Sequence, residues 1–349
     1  MKQEFITPQR QAFWKNRRVF VTGAFGLLGS TLTEFLTRFG AEVVVLQRDH
    51  VPSSRLFETR THEKVIVVRG DVEDYATLFR ALNDYEIDTV FHLAAQAIAP
   101  IANRCPLPTF RTNLMGTCNI LEAARLSPKV TRVVVASSDK AYGAQPVLPY
   151  SEDAPLQGQH PYDVSKSCKD LLAQAYFHTY KLPVCITRCG NLYGPGDFHF
   201  NRVIPGTIKS ILMGERPIIR SDGKYIRDYF FVKDAANGYM TIVEHMDDAS
   251  HHGHAYNLST GNRFNVIDIV NRILQVMGSS LEPIILNEAN SEIREQTLCS
   301  DKAFNRLGWK PAYAVEEALL ETIEWYKQFF NRQKQEQKFE PASFETLLS

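Results

Sequence analysis

Short apolar segments alternate with helical segments from Arg18 to Cys189, and this alternation constrains the fold more than any other feature of the chain. The predicted strands are 18–22, 42–47, 65–68, 89–93, 130–137 and 184–189. The predicted helices between them are 27–39, 75–85, 109–126 and 162–180. Because strands that alternate with helices pair in parallel through right-handed crossovers, the pattern predicts an α/β fold with a doubly wound parallel sheet.

A glycine triplet lies between the first predicted strand and the first predicted helix. Gly23 permits a tight turn, Gly26 lets a ligand approach the backbone, and Gly29 lets the helix pack close to the strand. The first N–H groups of that helix then point at a bound pyrophosphate. The triplet therefore predicts a Rossmann dinucleotide-binding site, and a tight turn that binds no ligand is the alternative.

The choice between NAD and NADP stays open at this level. An acidic residue at the end of the second strand is typical of NAD-binding proteins, but Gln47 stands at that place. Arg48 follows it and is suited to the 2′-phosphate of NADP. Asp71, after the third strand, is a predicted partner of the adenine, with a role as helix N-cap as the alternative.

Charge and composition exclude several classes of partner. Lys and Arg total 39, as do Asp and Glu, so no net charge attracts nucleic acid or an anionic membrane. No apolar run approaches the ~20 residues of a membrane span, and the polar segment 1–18 predicts no signal peptide. The six cysteines form no CxxC pair. We therefore expect a reduced cytoplasmic protein without a metal site.

Tyr162 and Lys166 lie one helical turn apart on the helix predicted over 162–180, so their side chains share one face. A phenol with a pKa of about 10 is a poor base near neutral pH. A neighbouring ammonium and a positively charged nicotinamide would lower that pKa, because both stabilise the phenolate. The pair therefore predicts hydride transfer with Tyr162 as the base, and an ordinary exposed tyrosine and lysine are the alternative.

Several further motifs accompany this pair. They are His92-Leu-Ala-Ala95, Asn113 in Thr-Asn-Leu-Met-Gly-Thr, Ser137 to Gly143, Arg227-Asp-Tyr and Leu307-Gly-Trp-Lys-Pro311. With them, residues 13 to 330 resemble the extended short-chain dehydrogenases/reductases, specifically their nucleotide-sugar 4,6-dehydratases, and most of all the CDP-glucose type. The resemblance implies a nucleotide-diphosphate sugar as substrate and a tightly bound NAD or NADP as cofactor.

Asp139 and Lys140 separate the dehydratases from the epimerases in this resemblance, because epimerases of the family usually carry small neutral residues at these places. Elimination of water across C5 and C6 needs one group that removes the C5 proton and another that protonates the leaving hydroxyl. We expect Tyr162 to take the 4-OH proton, Lys140 to remove the C5 proton and Asp139 to protonate the 6-OH. Return of the hydride to C6 would then give a 4-keto-6-deoxy sugar.

The motifs and the family resemblance together imply three sets of site residues. The catalytic set is Ser138, Asp139, Lys140, Tyr162 and Lys166. The cofactor set is Gly23, Phe25, Gly26, Leu27, Gly29, Arg48, Asp71, Val72, Leu93, Ala94, Ala95, Asn113, Tyr162 and Lys166. The substrate set is Gln96, Ser138, Asn191, Arg202, Arg227 and Arg294. For Asn113 the resemblance implies support of the catalytic helix and a proton relay, with a helix N-cap or an interior polar contact as the alternative.

The residues after Gly190 no longer follow the strand–helix rhythm and predict a second unit. We expect residues 1–190 to form the dinucleotide-binding Rossmann domain with the catalytic residues. Residues 191–331 would form a smaller, mostly C-terminal α/β domain that binds mainly the nucleotide sugar, with some strands returning to the first domain. A helix over 314–330 would precede a polar, mobile tail at 332–349.

The resemblance also implies a homodimer, because the helices equivalent to 109–126 and 162–180 form a four-helix seam in the family. His92 is predicted to be a core histidine, and His251-His252-Gly253-His254 a solvated loop rather than a metal site. Three alternatives to the CDP-glucose type stay open. They are a nucleotide-sugar 4-epimerase, a 4,6-dehydratase of a GDP-linked hexose or heptose, and a catalytically silent dinucleotide-binding sensor.

Overall fold

Parallel strands and helices alternate in the computed structural model, which describes residues 1–288 and 293–339. The strands are β1 (Arg18–Thr22), β2 (Glu42–Gln47), β3 (Ile66–Arg69), β4 (Thr89–His92), β5 (Arg132–Ala136), β6 (Val184–Cys189), β7 (Asn191–Tyr193), β8 (Ile218–Ile219), β9 (Ile226–Arg227), β10 (Tyr229–Phe231), β11 (Ala255–Leu258), β12 (Phe264–Asn265), β13 (Ile284–Ile285) and β14 (Glu295–Gln296). The helices are α1 (Pro8–Trp14), α2 (Leu27–Arg38), α3 (Arg55–Glu58), α4 (Tyr75–Asp84), α5 (Ala99–Arg104), α6 (Pro106–Phe110), α7 (Gly116–Arg125), α8 (Pro161–Tyr180), α9 (Val203–Leu212), α10 (Val232–His245), α11 (Val266–Met277), α12 (Asp301–Leu307) and α13 (Val315–Phe339).

The centre of the fold is a parallel sheet with the strand order β11-β6-β5-β4-β1-β2-β3. β1 pairs with β2 on one side and with β4 on the other, so the strand order reverses there. In doubly wound sheets, ligands bind in the crevice at the carboxyl ends of the strands where this reversal occurs. The α/β prediction with a doubly wound parallel Rossmann sheet is confirmed, and the crevice lies beside the glycine turn.

Two apolar cores cover the two faces of this sheet. Val19 and Val21 of β1 belong to the core that includes residues of α2 and α10, whereas Phe20 belongs to the core that includes residues of α4 and α7. Successive side chains of a strand point to opposite faces, which explains this division. Because both faces are covered, the central strands are almost wholly apolar, and their polar side chains are concentrated at the strand ends.

The C-terminal part of the chain adds short strands at the carboxyl edge of the sheet. β7 pairs with β10, β8 with β13, and β9 lies between β12 and β14. The register of β9 and β14 places Gln296 beside Arg227. Strand β11, although late in the sequence, joins the edge of the main sheet next to β6.

Several element boundaries differ from the prediction. The helix expected over 109–126 begins at Pro106 and contains a π-turn at Arg111–Met115. The final helix does not end at 330 but continues to Phe339, because the polar residues there are good helix formers. It therefore occupies the first part of the predicted tail 332–349, whose residues 340–349 lie outside the described ones. No helix in the described ranges is long and apolar enough to cross a membrane.

Two histidine predictions have different outcomes. His92 is confirmed as a core histidine, because it is fully buried between the hydroxyls of Thr22 and Thr117, at 2.8 and 3.0 Å. The prediction of a solvated loop is wrong for His251, which is buried. Its Nδ1 lies 2.7 Å from the hydroxyl of Tyr256, a buried residue of strand β11, and this hydrogen bond satisfies the imidazole in the interior.

Candidate active site

The turn after β1 forms a cradle at the N-terminus of α2. Gly23 has a φ of +72°, and a Cβ there would lie 2.7 Å from Ala94 N. A Cβ at Gly29 would overlap the Gly23 carbonyl oxygen, so both positions require glycine. Gly26 is the N-cap of α2 and makes no side-chain cap bond, which leaves the first N–H groups of the helix available to an anion. The cradle therefore fits a dinucleotide pyrophosphate.

The other predicted cofactor residues surround this cradle or follow neighbouring strands. Leu93, Ala94 and Ala95 follow β4, and Ala94 N donates to Thr22 Oγ1 at 3.2 Å. Val72 follows β3 and packs against Gly116 at the start of α7. Phe25 and Leu27 flank Gly26, and the Phe25 ring packs against Phe57, with centroids 5.6 Å apart. The sheet thus brings these backbone segments to one edge.

Arg48 and Asp71, the residues predicted to contact the adenosine half of the cofactor, each interact with a residue close to them in the sequence. Arg48 is exposed and its guanidinium lies 2.7 Å from Asp49 Oδ2. The Asp71 carboxylate accepts a hydrogen bond from Glu73 N at 2.9 Å. Helix α4 is capped by Asp74, whose Oδ1 accepts from Thr77 N. The N-cap alternative for Asp71 is therefore wrong, and Asp71 stays a predicted partner of the adenine.

The predicted acid and base lie in a 3₁₀ turn, Asp139–Tyr142, directly after β5. The Ser138 hydroxyl caps this turn by accepting from Lys140 N at 3.2 Å and donates to Asp139 Oδ1 at 2.9 Å. It also interacts with the phenol of Tyr162, whose pKa it lowers against the larger effects of burial and Asp139. Lys140 Nζ lies 3.3 Å from Asp139 Oδ2. The predicted residues Ser138, Asp139, Lys140 and Tyr162 therefore form one connected group.

Tyr162 and Lys166 share one face of α8, and Lys166 Nζ lies 5.7 Å from the centre of the Tyr162 ring. Lys166 is buried and donates to the carbonyl of Ala136 at 3.2 Å. Burial lowers the pKa of Lys166 to about 8, because the charged form loses its hydration. The pKa of the Tyr162 phenol was predicted to be lowered by Lys166 and the nicotinamide, but the surrounding protein raises it. Burial, and then the charge of Asp139, raise the pKa of that phenol.

The buried ammonium of Lys166 gives a stability prediction. The depression of its pKa from 10.5 to about 8 corresponds to roughly 3 kcal/mol against folding, offset by ~1 kcal/mol from its hydrogen bond. Between pH 8 and 10.5 the unfolded chain binds this proton and the folded chain does not, so the penalty is complete below pH 8. We expect Lys166→Met to raise the free energy of unfolding by about 2 kcal/mol at pH 7.

The gain from Lys166→Met should fade as the pH rises from 8 to 10.5. Urea titrations of wild type and variant at several pH values measure it. Lys64→Met, at an exposed position, is the matched control. A gain that does not depend on pH would show that packing, rather than burial of the ammonium, causes the effect.

Asn113 lies in the π-turn of the helical segment from α6 to α7. Its Oδ1 accepts from Gln96 N at 2.8 Å, and its Nδ2 donates to the Gln96 carbonyl and to Ser165 Oγ at 3.1 and 2.9 Å. Gln96 in turn accepts from Ile98 N through its side-chain oxygen. Asn113 therefore connects the loop after β4 with α8, and the N-cap alternative is wrong. Such π-turns are frequent at functional sites.

The predicted substrate residues after β6 differ in their exposure and in their bonded partners. Asn191 begins β7, at the carboxyl edge of the sheet. Arg202 is held by Asp197, at 2.8 Å, and by the Leu192 carbonyl. Arg227 is buried, and its Nη1 donates to the Arg294 carbonyl at 3.3 Å, whereas the Arg294 side chain is exposed. Of these three arginines, Arg227 is therefore the most buried.

Sequence reasoning missed three buried polar groups near the site. Asp170 of α8 and Arg188 of β6 form an ion pair with two hydrogen bonds, at 2.7 and 2.9 Å. Lys169 is fully buried, donates to the Ala94 carbonyl at 3.1 Å, and has its pKa lowered by burial and then by Lys166. The spacing of three residues between Lys166 and Lys169 was a signal that both share one helix face.

The third missed group is Gln296 of β14, whose side-chain oxygen accepts a hydrogen bond from Lys140 Nζ. No local pattern connects these two residues, which are 156 positions apart. Asp228, beside Arg227, is likewise buried, and burial raises its pKa to about 6.

Comparison with known proteins agrees with this geometry. Residues 20–322 match the family described as GDP-mannose 4,6 dehydratase. A CDP-glucose 4,6-dehydratase from Salmonella typhimurium is 30% identical, over 90% of this chain and 92% of that protein. The structure of a dTDP-glucose 4,6-dehydratase from Streptomyces venezuelae, solved with NAD bound, is 27% identical and has a TM-score of 0.81, over 90% of this chain and 98% of that one.

Epimerases are also similar to this chain. The structure of an epimerase from Methanothermobacter thermautotrophicus is 27% identical and has a TM-score of 0.85, over 94% of this chain and 96% of that one. The likeness of the fold therefore does not distinguish a dehydratase from an epimerase. That distinction depends on the side chains that follow β5.

Proposed function

Because this chain belongs to the GDP-mannose 4,6-dehydratase family of extended short-chain dehydrogenases/reductases, we propose that it is a nucleotide-diphosphate-sugar 4,6-dehydratase. It converts its substrate to the 4-keto-6-deoxy sugar by oxidation at C4, loss of water across C5 and C6, and reduction at C6. The observation that carries this proposal is the connected group of Tyr162, Ser138, Asp139 and Lys140. It supplies the acid and the base that elimination needs in addition to the base for oxidation.

The glycine cradle and the segment after β4 hold NAD or NADP in this proposal. When bound, the nicotinamide takes the hydride from C4 and later returns it to C6. The chain supplies the proton transfers. Tyr162 accepts the 4-OH proton, and Tyr162 and Ser138 then donate hydrogen bonds to the 4-ketone. That ketone acidifies the C5 proton, which Lys140 removes, while Asp139 protonates the departing 6-OH.

In this proposal, the contact between Lys140 and Asp139 brings Lys140 into the form of a base and Asp139 into the form of an acid. In the ion pair, Lys140 carries the proton that Asp139 needs, and the two groups are 3.3 Å apart. Transfer of this one proton gives a neutral amine and a carboxylic acid together. After elimination, Lys140 returns its proton to C5. Tyr162 has then gained one proton and Asp139 has lost one. Ser138, which donates to Asp139 and interacts with the Tyr162 phenol, is the proposed route by which the proton returns.

The product of a nucleotide sugar tests the function. We expect a product lighter by one water, with the alkaline chromophore of 4-keto-6-deoxy sugars, from at least one nucleotide-linked glucose or mannose. A product of unchanged mass with an inverted C4 alcohol would instead identify a 4-epimerase, the second candidate, because an epimerase is also similar to this chain. Incubation of the purified protein with each sugar nucleotide, followed by mass spectrometry and NMR, decides between them.

Asp139→Asn should separate oxidation from elimination. The amide cannot protonate the 6-OH, so we expect loss of water to slow by about 100-fold. Oxidation at C4 should persist, and its pH profile should move to lower pH, because the charge of Asp139 raises the pKa of Tyr162. Single-turnover absorbance of the reduced nicotinamide measures the first step, and the chromophore measures the product. Full turnover in Asp139→Asn would exclude the acid role.

For the substrate we propose the CDP-glucose type, with a GDP-linked hexose or heptose as the alternative. The likeness to the Salmonella enzyme supports this proposal. Residues 191–331 then form most of the sugar-nucleotide pocket and residues 1–190 hold the cofactor and the catalytic groups. In this proposal Asn191 and Arg227 bind the diphosphate, which the position of Asn191 at the start of β7 and the burial of Arg227 support. Competition among CDP, GDP, UDP and dTDP for a bound sugar nucleotide measures the base preference.

We also propose that the chain forms a homodimer through α6, α7 and α8. These helices pack against one another. Large apolar side chains on these helices and on the π-turn between α6 and α7 are exposed to solvent, namely Leu107, Met115, Leu171 and Tyr180. Burial of such side chains against a partner would favour assembly. Sedimentation velocity of the wild-type protein tests the assembly, and a monomer at micromolar concentration contradicts it.

A further inference from the structure

We propose that Gln296 is a positioning and specificity-determining residue for the elimination step, acting on Lys140 through its side-chain oxygen and on a sugar hydroxyl through its side-chain amide. This inference rests on the proposed function. Gln296 belongs to neither the glycine cradle nor the Tyr162–Lys166 pair, and it comes to the site on a strand of the C-terminal part.

The first observation concerns the Lys140 ammonium. Its contacts with the two oxygens of Asp139 are long, at 3.4 and 3.3 Å, and come from the adjacent residue in the same turn. A further hydrogen bond, to Gln296 Oε1, comes from another part of the chain. A lysine side chain has four rotatable carbons, so a second, distant acceptor is needed to hold its nitrogen in one place. Gln296 supplies that acceptor.

The second observation concerns the other half of the same amide. Gln296 is 1% exposed, and among the described residues its Nε2 has no hydrogen-bond partner. A buried donor without a partner is uncommon, because it has lost its water without replacing it. Since Oε1 faces Lys140, the amide orientation is set by that bond, and Nε2 lies close to the ammonium. The unused donor of Gln296 therefore lies beside the proposed base, and we infer that a hydroxyl of the bound sugar is its acceptor.

The position of β14 indicates which ligand atoms are involved. Gln296 is in register with Arg227 on the parallel strand β9, so both side chains point to the same face. Arg227 is the proposed contact of the diphosphate, and Lys140 is the proposed base at C5. Gln296 thus stands between the place of the diphosphate and the place of the reacting carbons, where the hydroxyls of the hexose lie.

Two substitutions separate the two roles. Gln296→Leu removes both the acceptor and the donor, and Gln296→Glu keeps an acceptor for Lys140 but loses the donor. For Gln296→Leu we expect product formation to fall by about tenfold or more, the effect of one lost hydrogen bond to a charged group. Oxidation at C4, followed as reduced nicotinamide in a single turnover, should stay within about twofold because Gln296 does not touch Tyr162.

For Gln296→Glu we expect kcat to return most of the way to the wild-type value, because the acceptor for Lys140 is kept. The KM for the nucleotide sugar should be about tenfold above wild type, because the donor to the sugar is lost. Thr297→Val is the matched control, because it removes a buried hydroxyl from the next residue and leaves Lys140 untouched. Thermal unfolding of each variant reports folding separately. If Gln296→Leu does not fold, Gln296→Glu decides the question alone.

Three results would overturn the inference. They are wild-type kinetics in both Gln296 variants, an equal slowing of oxidation and elimination in Gln296→Leu, and a Thr297→Val variant as slow as Gln296→Leu. Failure of the proposed function looks different. In that case the wild-type protein itself forms no 4-keto-6-deoxy product from any sugar nucleotide, and both proposals are withdrawn together.

Discussion

Tyr162→Phe is expected to slow C4 oxidation, and with it formation of the 4-ketone, by about two to four orders of magnitude, the usual effect of removing a positioned acid–base group. The substitution removes one oxygen and leaves the ring, so the packing of α8 against the sheet is retained. Tyr162 is the first group in the proposed sequence that accepts a proton, and elimination cannot start without the ketone. Neither reduced nicotinamide nor chromophore should accumulate.

Tyr176→Phe is the matched control, because Tyr176 lies on the same helix and its hydroxyl contacts Glu122 at 3.3 Å. We expect it to keep wild-type kinetics. A Tyr162→Phe variant that accumulates reduced nicotinamide at the wild-type rate but forms no product would place Tyr162 in the elimination step instead. Wild-type product formation would remove Tyr162 from the mechanism altogether.

Asp170→Asn should give the largest loss of stability that we predict. Asp170 and Arg188 are almost completely buried, with 0% and 2% of their side chains exposed. Asn keeps one acceptor oxygen, but the buried guanidinium loses its negatively charged partner and keeps only neutral acceptors among the described residues, the Tyr142 hydroxyl and the Glu152 carbonyl included. Breaking one side of a buried ion pair costs about 3–5 kcal/mol, so we expect a loss of that size in the free energy of unfolding.

Urea unfolding of Asp170→Asn and of the double variant Asp170→Leu/Arg188→Met measures this effect. The double variant removes both charges and should recover much of the loss, because two apolar side chains need no partner. Activity is informative as well, since Asp170 lies on the same helix as Tyr162 and Lys166. A loss below about 1 kcal/mol in the single variant would mean that water reaches the guanidinium and replaces the carboxylate.

Local patterns in the sequence were sufficient for the sheet and the cofactor cradle. Strand–helix alternation predicts parallel pairing, and the glycines at 23, 26 and 29 predict the turn, because a left-handed φ and a close backbone approach are demands of a single residue. The four-residue spacing of Tyr162 and Lys166 likewise places both on one helix face. Such inferences work because the interacting groups are neighbours in the chain.

Electrostatics and helix details were less accessible to the same reasoning. The expectation that the ammonium of Lys166 and a cationic nicotinamide lower the pKa of Tyr162 omitted the burial of the phenol and the charge of Asp139, which both raise that pKa. The π-turn that carries Asn113 has no sequence signature of its own. Its amide satisfies groups on two other segments, Gln96 and Ser165, and those segments meet only in the folded chain.

Residue patterns along the chain predict the parallel α/β fold, the glycine cradle and the residues after β5 that suggest elimination. The contact of Gln296 with Lys140, the ion pair of Asp170 with Arg188 and the burial of His251 are visible only in the folded chain. The difference lies in the range of the interactions. Backbone conformation and side-chain periodicity act over a few residues, whereas burial and the pairing of buried polar groups depend on which distant segments the packed core brings into contact.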